Sequence, residues 1–351
     1  MKLEIGSEFE YVAPGREKAE LKDLFFPEAE DKCFCFCGRT AIETVLADVK
    51  GIKKACLPSY CCSSMIEPFH AAGMDVTFYR VVREADGVGF LFDEIPADAE
   101  LVLYCNYFGF SADFLPKEVI SRVHERGGVI LEDVTQSLLS DVPAHEEGDY
   151  LVASLRKWFP TPAGGLAVKR SGRFDKKPQG SVSREFLSPR CEAMRIKERY
   201  LRSADPAEKE AYFPLYGEAN HWLEANYSGL AADGETLAWL AAADMDEIRR
   251  RRRENAEVLF SGLDGIPHVK PLFPSEKMDC PLFLPVTVEK EYRAAVRKAL
   301  IDRAVYCPVH WPKPQEGIRS ELYDTELSLI CDQRYNTEDM KRIISVLKEQ
   351  G

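Results

Sequence analysis

The 351-residue chain contains no apolar run long enough to cross a bilayer, and Met1 to Glu8 carry no apolar stretch of the kind that directs secretion. A cytoplasmic protein without a membrane contact is expected. No strand pattern is followed by GxGxxG, and neither the P-loop sequence nor HExxH occurs, so dinucleotide, P-loop and zinc-peptidase chemistry lack their signatures. Positive charge is in short supply: 46 Lys and Arg stand against 58 Asp and Glu, for a net charge of -12. That balance argues against the clustered positive potential a nucleic-acid surface needs. The one dense basic run, Arg249 to Arg253, lies in a helical pattern beside Asp244, Asp246, Glu247, Glu254 and Glu257, and reads as a solvated, salt-bridged helix face. Histidine is scarce as well, with six in the chain. Of these, His310, on the proline-rich stretch Tyr306 to Pro312, is the one placed for a ligand, although a lone loop histidine is ordinarily surface.

Cysteine is not scarce, but its eleven copies are an odd number spread through a large chain, which fits reduced thiols better than a disulfide framework. Cys33, Cys35 and Cys37 alternate with Phe34 and Phe36, a period-two pattern that predicts a strand with thiols on one face. No CxxC pair occurs, and no metal site is expected. At 45% hydrophobic the chain can bury a full core, and its length favours two domains. From Cys33 to Arg170 short apolar runs alternate with helical stretches. Lys54–Pro58, Asp75–Tyr79, Leu101–Cys105, Val129–Leu131, Leu151–Ala153 and Leu166–Val168 read as strands, and Thr40–Val49, Ser63–Ala72 and Pro116–Arg126 as helices ending near Gly51, Gly73 and Gly127. This alternation predicts a mostly parallel sheet with helices on both faces. The expected organisation is an N-terminal segment 1–30, a large α/β domain 31–235 with a helical insertion at 172–225, and a small α+β domain 236–351 entered by one long helix, Thr236 to Leu263.

The residues with chemical potential lie at strand ends. Lys157, in Ser154-Leu155-Arg156-Lys157-Trp158, sits between a predicted strand and the turn Gly164-Gly165. A lysine amine attacks a carbonyl once nearby positive charge or burial leaves it neutral, and Arg156 and Trp158 supply both influences. An exposed loop lysine satisfies the same pentapeptide. Asp133 ends the run Gly128 to Leu131, at the carboxyl end of a strand where open α/β sheets place their ligand crevice. There it could pair with a protonated pyridine nitrogen, with Gln136 reaching a ring oxygen, or it could cap the next helix. Gly38-Arg39-Thr40 stands where a strand turns into a helix, so backbone N–H groups and the Thr40 hydroxyl would face an anion, with Ser154 nearby. A plain strand-to-helix turn fits those residues equally well. Together the lysine and the carboxylate suggest pyridoxal phosphate chemistry.

Taken in order, Gly38 to Ala41, Leu57 to Tyr60, Asn106 to Gly109, Glu132 to Gln136, Lys157 to Gly165, Asn226-Tyr227, Arg252 to Ala256, Tyr306 to His310 and Leu327 to Leu329 resemble the fold-type-I pyridoxal-phosphate aminotransferases, in particular the nucleotide-sugar (DegT/StrS) aminotransferase family. The resemblance implies an α/β fold-type-I architecture, with a mostly parallel, seven-stranded-type sheet and a smaller α+β carboxyl-terminal domain. It implies that Lys157 holds pyridoxal 5'-phosphate as a Schiff base, that Asp133 pairs with the pyridine nitrogen, and that Gln136 lies near the phenolic oxygen. Gly38, Thr40 and Ser154 would hold the phosphate, with Arg39 beside them. It further implies a homodimer in which Asn226 reaches the partner's cofactor. Several positions depart from the family. Cys62 stands where an aromatic residue usually stacks on the ring, so stacking is either weaker or comes from elsewhere, with Tyr60 and Tyr107 as candidates; Asn106 replaces a usual His, and Ser228 a frequent Arg. Tyr60 and His310 are the candidate substrate contacts, while Arg39, Arg156 and Arg334 cannot be assigned to a substrate carboxylate from spacing alone. The expected function is transfer of an amino group from a donor such as glutamate to a keto acceptor, with a keto-sugar in view. The alternative is a protein of this fold that binds the cofactor or a small amine in a regulatory role without turnover.

Overall fold

The computed structural model describes residues 2–83, 89–110, 115–141, 148–314 and 318–350. Its strands in chain order are β1 (Ile5–Gly6), β2 (Asp31–Cys35), β3 (Lys54–Pro58), β4 (Asp75–Arg83), β5 (Phe90–Asp93), β6 (Leu101–Cys105), β7 (Val129–Asp133), β8 (Tyr150–Ser154), β9 (Gly165–Lys169), β10 (Val269–Pro271), β11 (Leu284–Val288), β12 (Val305–Tyr306) and β13 (Glu326–Leu329). The α-helices are α1 (Gly38–Asp48), α2 (Ser63–Ala71), α3 (Lys117–Glu125), α4 (Arg184–Ser203), α5 (Pro206–Ala225), α6 (Gly234–Ala242), α7 (Met245–Gly262), α8 (Lys290–Asp302), α9 (Leu322–Thr325) and α10 (Thr337–Lys348).

Two compact units interleave along the chain: Met1–Ser7, Gly51–Gly148 and Met245–Gly351 form the first, and Glu8–Lys50 and Asp149–Asp244 the second. Their edges do not fall at residues 30 and 235. The reason is pairing between distant segments: β2 runs antiparallel to β9 from Asp31↔Lys169 to Cys35↔Gly165, which draws the early residues into one body with the later ones.

In the first unit β4, β3, β6 and β7 pair in parallel in that order, and β5 adds an antiparallel edge to β4. All five residues of β6 are buried, as the continuous apolar run Leu101–Cys105 predicts for a central parallel strand. A smaller antiparallel sheet, β10-β11-β13, and the pair β1-β12 complete it. The basic run on α7 is only partly the solvated face that its charges predict. Arg250 and Arg251 do bridge Glu247 and Glu254 at the surface. Arg252 instead is fully buried and donates to the Leu282 carbonyl at 2.9 Å, and Asn255 donates to the carbonyls of Asp332 and Tyr335, both at 3.1 Å.

In the second unit β8, β9 and β2 pair antiparallel. The segment predicted as a helical insertion is the hairpin α4–α5, reversed at Ala204 (φ 58°) and restarted by the Asp205 cap with Pro206 at the first helical position. Its inner faces bury Ala193, Met194, Tyr200, Tyr212 and Tyr216 in one cluster, and Phe186, Ala219 and Leu223 pack against Phe36 and Cys37 in another. The single long helix expected over 236–263 is two helices. Ala243 is extended (φ -66°, ψ 144°), and the acidic first turn Asp246-Glu247 begins α7 as a helix of its own.

Candidate active site

In the second unit, the turn after β8 carries the candidate lysine. Leu155–Lys157 form one 3-10 turn, and Leu155, Trp158 and Phe159 are fully buried, so three apolar anchors fix the backbone around it. Leu155 N–H donates to the Gly164 carbonyl (2.9 Å) and Gly164 N–H to the Phe36 carbonyl (2.6 Å), which ties the loop to the chain entering α1. Lys157 is half-buried, and among the described residues its Nζ has no hydrogen bond or ion pair. Lys169, on the neighbouring strand, is by contrast committed to Asp48 at 2.6 Å.

Gly38, Arg39 and Thr40 open α1. Its N-cap, Cys37, makes no side-chain cap and its first turn holds no acidic residue, so the positive end of the helix has no counter-charge of its own. Close packing shapes this corner. A Cβ on Gly165 would lie 2.2 Å from the Cys37 carbonyl oxygen, and one on Gly38 would lie 3.3 Å from Ser154 Cβ, which sets Ser154 beside Gly38. Thr40 is fully buried and donates its hydroxyl proton to the Tyr227 carbonyl (2.7 Å), so that proton is not offered to an anion as the sequence suggested. The Arg39 guanidinium lies 6.0 Å from the Tyr227 ring centroid. Asn226 is exposed just past α5, its amide donating to the Trp222 carbonyl (2.9 Å).

Two residues without a sequence signal stand beside Arg156. Glu8 accepts from Arg190 Nη2 at 2.9 Å, a pairing across 182 positions. Burial raises the Glu8 pKa, but Arg190 and then Arg156 outweigh it and hold the carboxyl at about 2.

In the first unit, the end of β7 separates two carboxylates, because successive residues of a strand face opposite sides. Glu132 is fully buried and accepts the Tyr104 hydroxyl proton (2.8 Å). Asp133 is half-buried, and its Oδ1 accepts from Thr135 N–H (2.8 Å). Cys61 and Cys105 stand close enough to Asp133 to feel its charge. Burial, with smaller contributions from Asp133 and neighbouring thiols, keeps both thiols well above their ordinary pKa and therefore neutral. Gln136 is buried; its Oε1 accepts from Phe108 N–H (2.9 Å), and its Nε2 has no partner among the described residues. Asn106 is turned the other way, with Nδ2 3.4 Å from Glu132 Oε1, on the side away from Asp133.

Two sequence expectations are corrected here. Tyr60 and Tyr107 are fully buried, with their hydroxyls on the carbonyls of His310 and Tyr60, so neither presents a free ring face for stacking. Cys62, half-buried with Sγ 2.9 Å from Ser64 Oγ, is the accessible member of that run. His310 is not a surface histidine: it is 6% exposed, its Nδ1 lies 2.7 Å from Ser328 Oγ, and its N–H donates to Glu326. Tyr323, which the sequence did not single out, anchors this loop. Its hydroxyl accepts from Cys61 N–H (3.1 Å) and lies 2.8 Å from the Ser59 carbonyl. Of the three unassigned arginines, Arg334 is bidentate to Asp332, at 2.9 and 2.7 Å, and its charge is already matched.

No protein-family model matches the chain, and no curated protein matches it. Solved structures do. DesV of S. venezuelae, in complex with a ketimine intermediate, superposes with a TM-score of 0.64 at 16% identity over 95% of this chain and 90% of that one. Spr1654 from Streptococcus pneumoniae, in its PLP-form, gives 0.63 at 15% identity over 92% and 87%. The sugar aminotransferase CalS13 from Micromonospora echinospora gives 0.59 at 15% identity over 91% and 87%. At such identities the likeness is one of fold, and the fold is the fold-type-I α/β architecture of pyridoxal-phosphate aminotransferases.

Proposed function

We propose that the chain is a pyridoxal-phosphate-dependent aminotransferase, moving an amino group from a donor such as glutamate to a keto acceptor, with a keto-sugar as the acceptor class. The observation that carries this reading is the Lys157 amine, unengaged among the described residues and held by buried apolar anchors at the end of β8 in a fold-type-I chain. The residues fit the cofactor on a second count: the buried Gln136 Nε2, orphaned among the described residues, is a donor that suits a phenolate oxygen. When bound, pyridoxal phosphate supplies an aldehyde that takes the donor's amino group and a protonated ring that draws electrons from the donor's Cα.

The protein's own residues supply the rest. Lys157 would hold the aldehyde end of the cofactor, and its amine would serve as the general base. Asp133, its carboxylate oriented by the Thr135 N–H, would pair with the ring nitrogen and favour its protonated form. The N–H groups opening α1 and the Ser154 hydroxyl receive the phosphate. In this reading the residues that serve the cofactor all lie within 31–235. The active form is a cytoplasmic homodimer in which exposed Asn226 serves the partner's site.

Purified protein titrated with pyridoxal phosphate is expected to develop a visible yellow band that glutamate bleaches. A band that no amino donor changes would favour binding without turnover, and no band at all would refute the reading of Lys157.

A further inference from the structure

Apart from Arg39, whose guanidinium lies 6.0 Å from the Tyr227 ring centroid and is engaged within the protein, the phosphate seat described above is built from neutral groups. Gly38 and Thr40 offer backbone N–H, Ser154 a hydroxyl, and the Thr40 hydroxyl proton is spent on Tyr227. A phosphate dianion placed there needs a counter-charge. The nearby cluster around Glu8 holds an excess of cations. Glu8 is faced by Arg190, Arg156 and Lys197, one carboxylate against three positive groups. Arg190 is 2% exposed and held on three sides: Nη2 is 2.9 Å from Glu8, Nε donates to the Pro162 carbonyl (3.1 Å), and the guanidinium lies 4.8 Å from the Tyr216 ring centroid, leaving only Nη1 without a partner among the described residues. Lys197 donates to the Glu8 carbonyl. Arg156 makes no hydrogen bond among the described residues, and its Nε is buried without a partner. Its charge neighbours also include Cys37 and Arg39, the two residues flanking Gly38 at the uncapped start of α1.

We infer that Arg156 binds the phosphate of pyridoxal phosphate, supplying the positive charge that Gly38, Thr40 and Ser154 lack, while Arg190 takes the Glu8 hydrogen bond and so leaves Arg156 free to serve the anion. This rests on the cofactor reading given above. The two neighbouring basic residues then work at opposite ends of one molecule, Lys157 at the aldehyde and Arg156 at the phosphate.

The test compares pyridoxal phosphate with pyridoxal, which lacks the phosphate, by titrating the visible band of the wild-type protein, Arg156→Gln and Arg156→Lys. Arg156→Gln should weaken pyridoxal phosphate binding by about ten- to a hundred-fold, the range for losing one charge-assisted hydrogen bond. Pyridoxal binding should change far less, so that the preference for pyridoxal phosphate over pyridoxal falls; an unchanged far-ultraviolet circular dichroism spectrum reports that the variant is folded, and Arg156→Lys should recover part of the loss. Equal binding of pyridoxal phosphate by Arg156→Gln and wild type overturns the inference, as does an equal loss for both compounds. If the wild-type protein binds neither compound, the cofactor reading itself falls and takes the inference with it.

Discussion

Lys157→Ala protein, mixed with pyridoxal phosphate and reduced with borohydride, should carry no covalent adduct, and its amino-transfer rate should fall by about 10³-fold or more, since one side chain loses both its covalent and its general-base role. The fold should survive. Among the described residues Lys157 Nζ is engaged with nothing, so truncation orphans no buried group, and the turn keeps its anchors at Leu155, Trp158 and Phe159. The stability change should stay within about 1 kcal/mol, measured by urea denaturation. Lys169 shows what an occupied lysine looks like, its ammonium paired with an Asp48 side chain that is 1% exposed. An adduct retained in Lys157→Ala would move the chemistry to another lysine.

Asp133→Asn should separate cofactor attachment from turnover. The amide keeps an oxygen to accept the Thr135 N–H, so the geometry at the end of β7 is preserved and the yellow band should still form. What is lost is the negative charge that stabilises a protonated ring nitrogen. Removing one partner of such a pair costs about 3–5 kcal/mol, which corresponds to a fall in amino transfer on the order of 10²–10⁴-fold. Glu132 cannot replace it, because it is buried on the opposite face and accepts the Tyr104 hydroxyl. Transfer rates in Asp133→Asn within a few-fold of wild type would remove Asp133 from the mechanism.

Much of the frame was legible in the sequence because its signals are local. Continuous apolar runs marked β3, β6, β7, β8 and β9, and glycines closed α1 and α3. Lys157, Asp133, Gln136, Gly38 and Ser154 sit at strand ends or helix starts, where the chain itself announces a change of element. The short β5, Phe90–Asp93, gave too little alternation to read. The break between α6 and α7 was hidden because apolar spacing continued across it, and an acidic helix start was read as part of one amphipathic run. Side-chain commitments were the least legible. That the Thr40 hydroxyl serves Tyr227, that His310 is tied to Ser328 and Glu326, and that Tyr323 holds the 59–61 loop depend on residues brought together only by the fold. The Glu8–Arg190 pair is the extreme case, with nothing in either local sequence to announce a half-buried ion pair.

The most direct measurement is to load the wild-type protein with pyridoxal phosphate, reduce it with borohydride, digest it and locate the modified residue by mass spectrometry. A single adduct on Lys157 is expected; an adduct on any other lysine, or none, contradicts the assignment of this turn as the cofactor's covalent anchor.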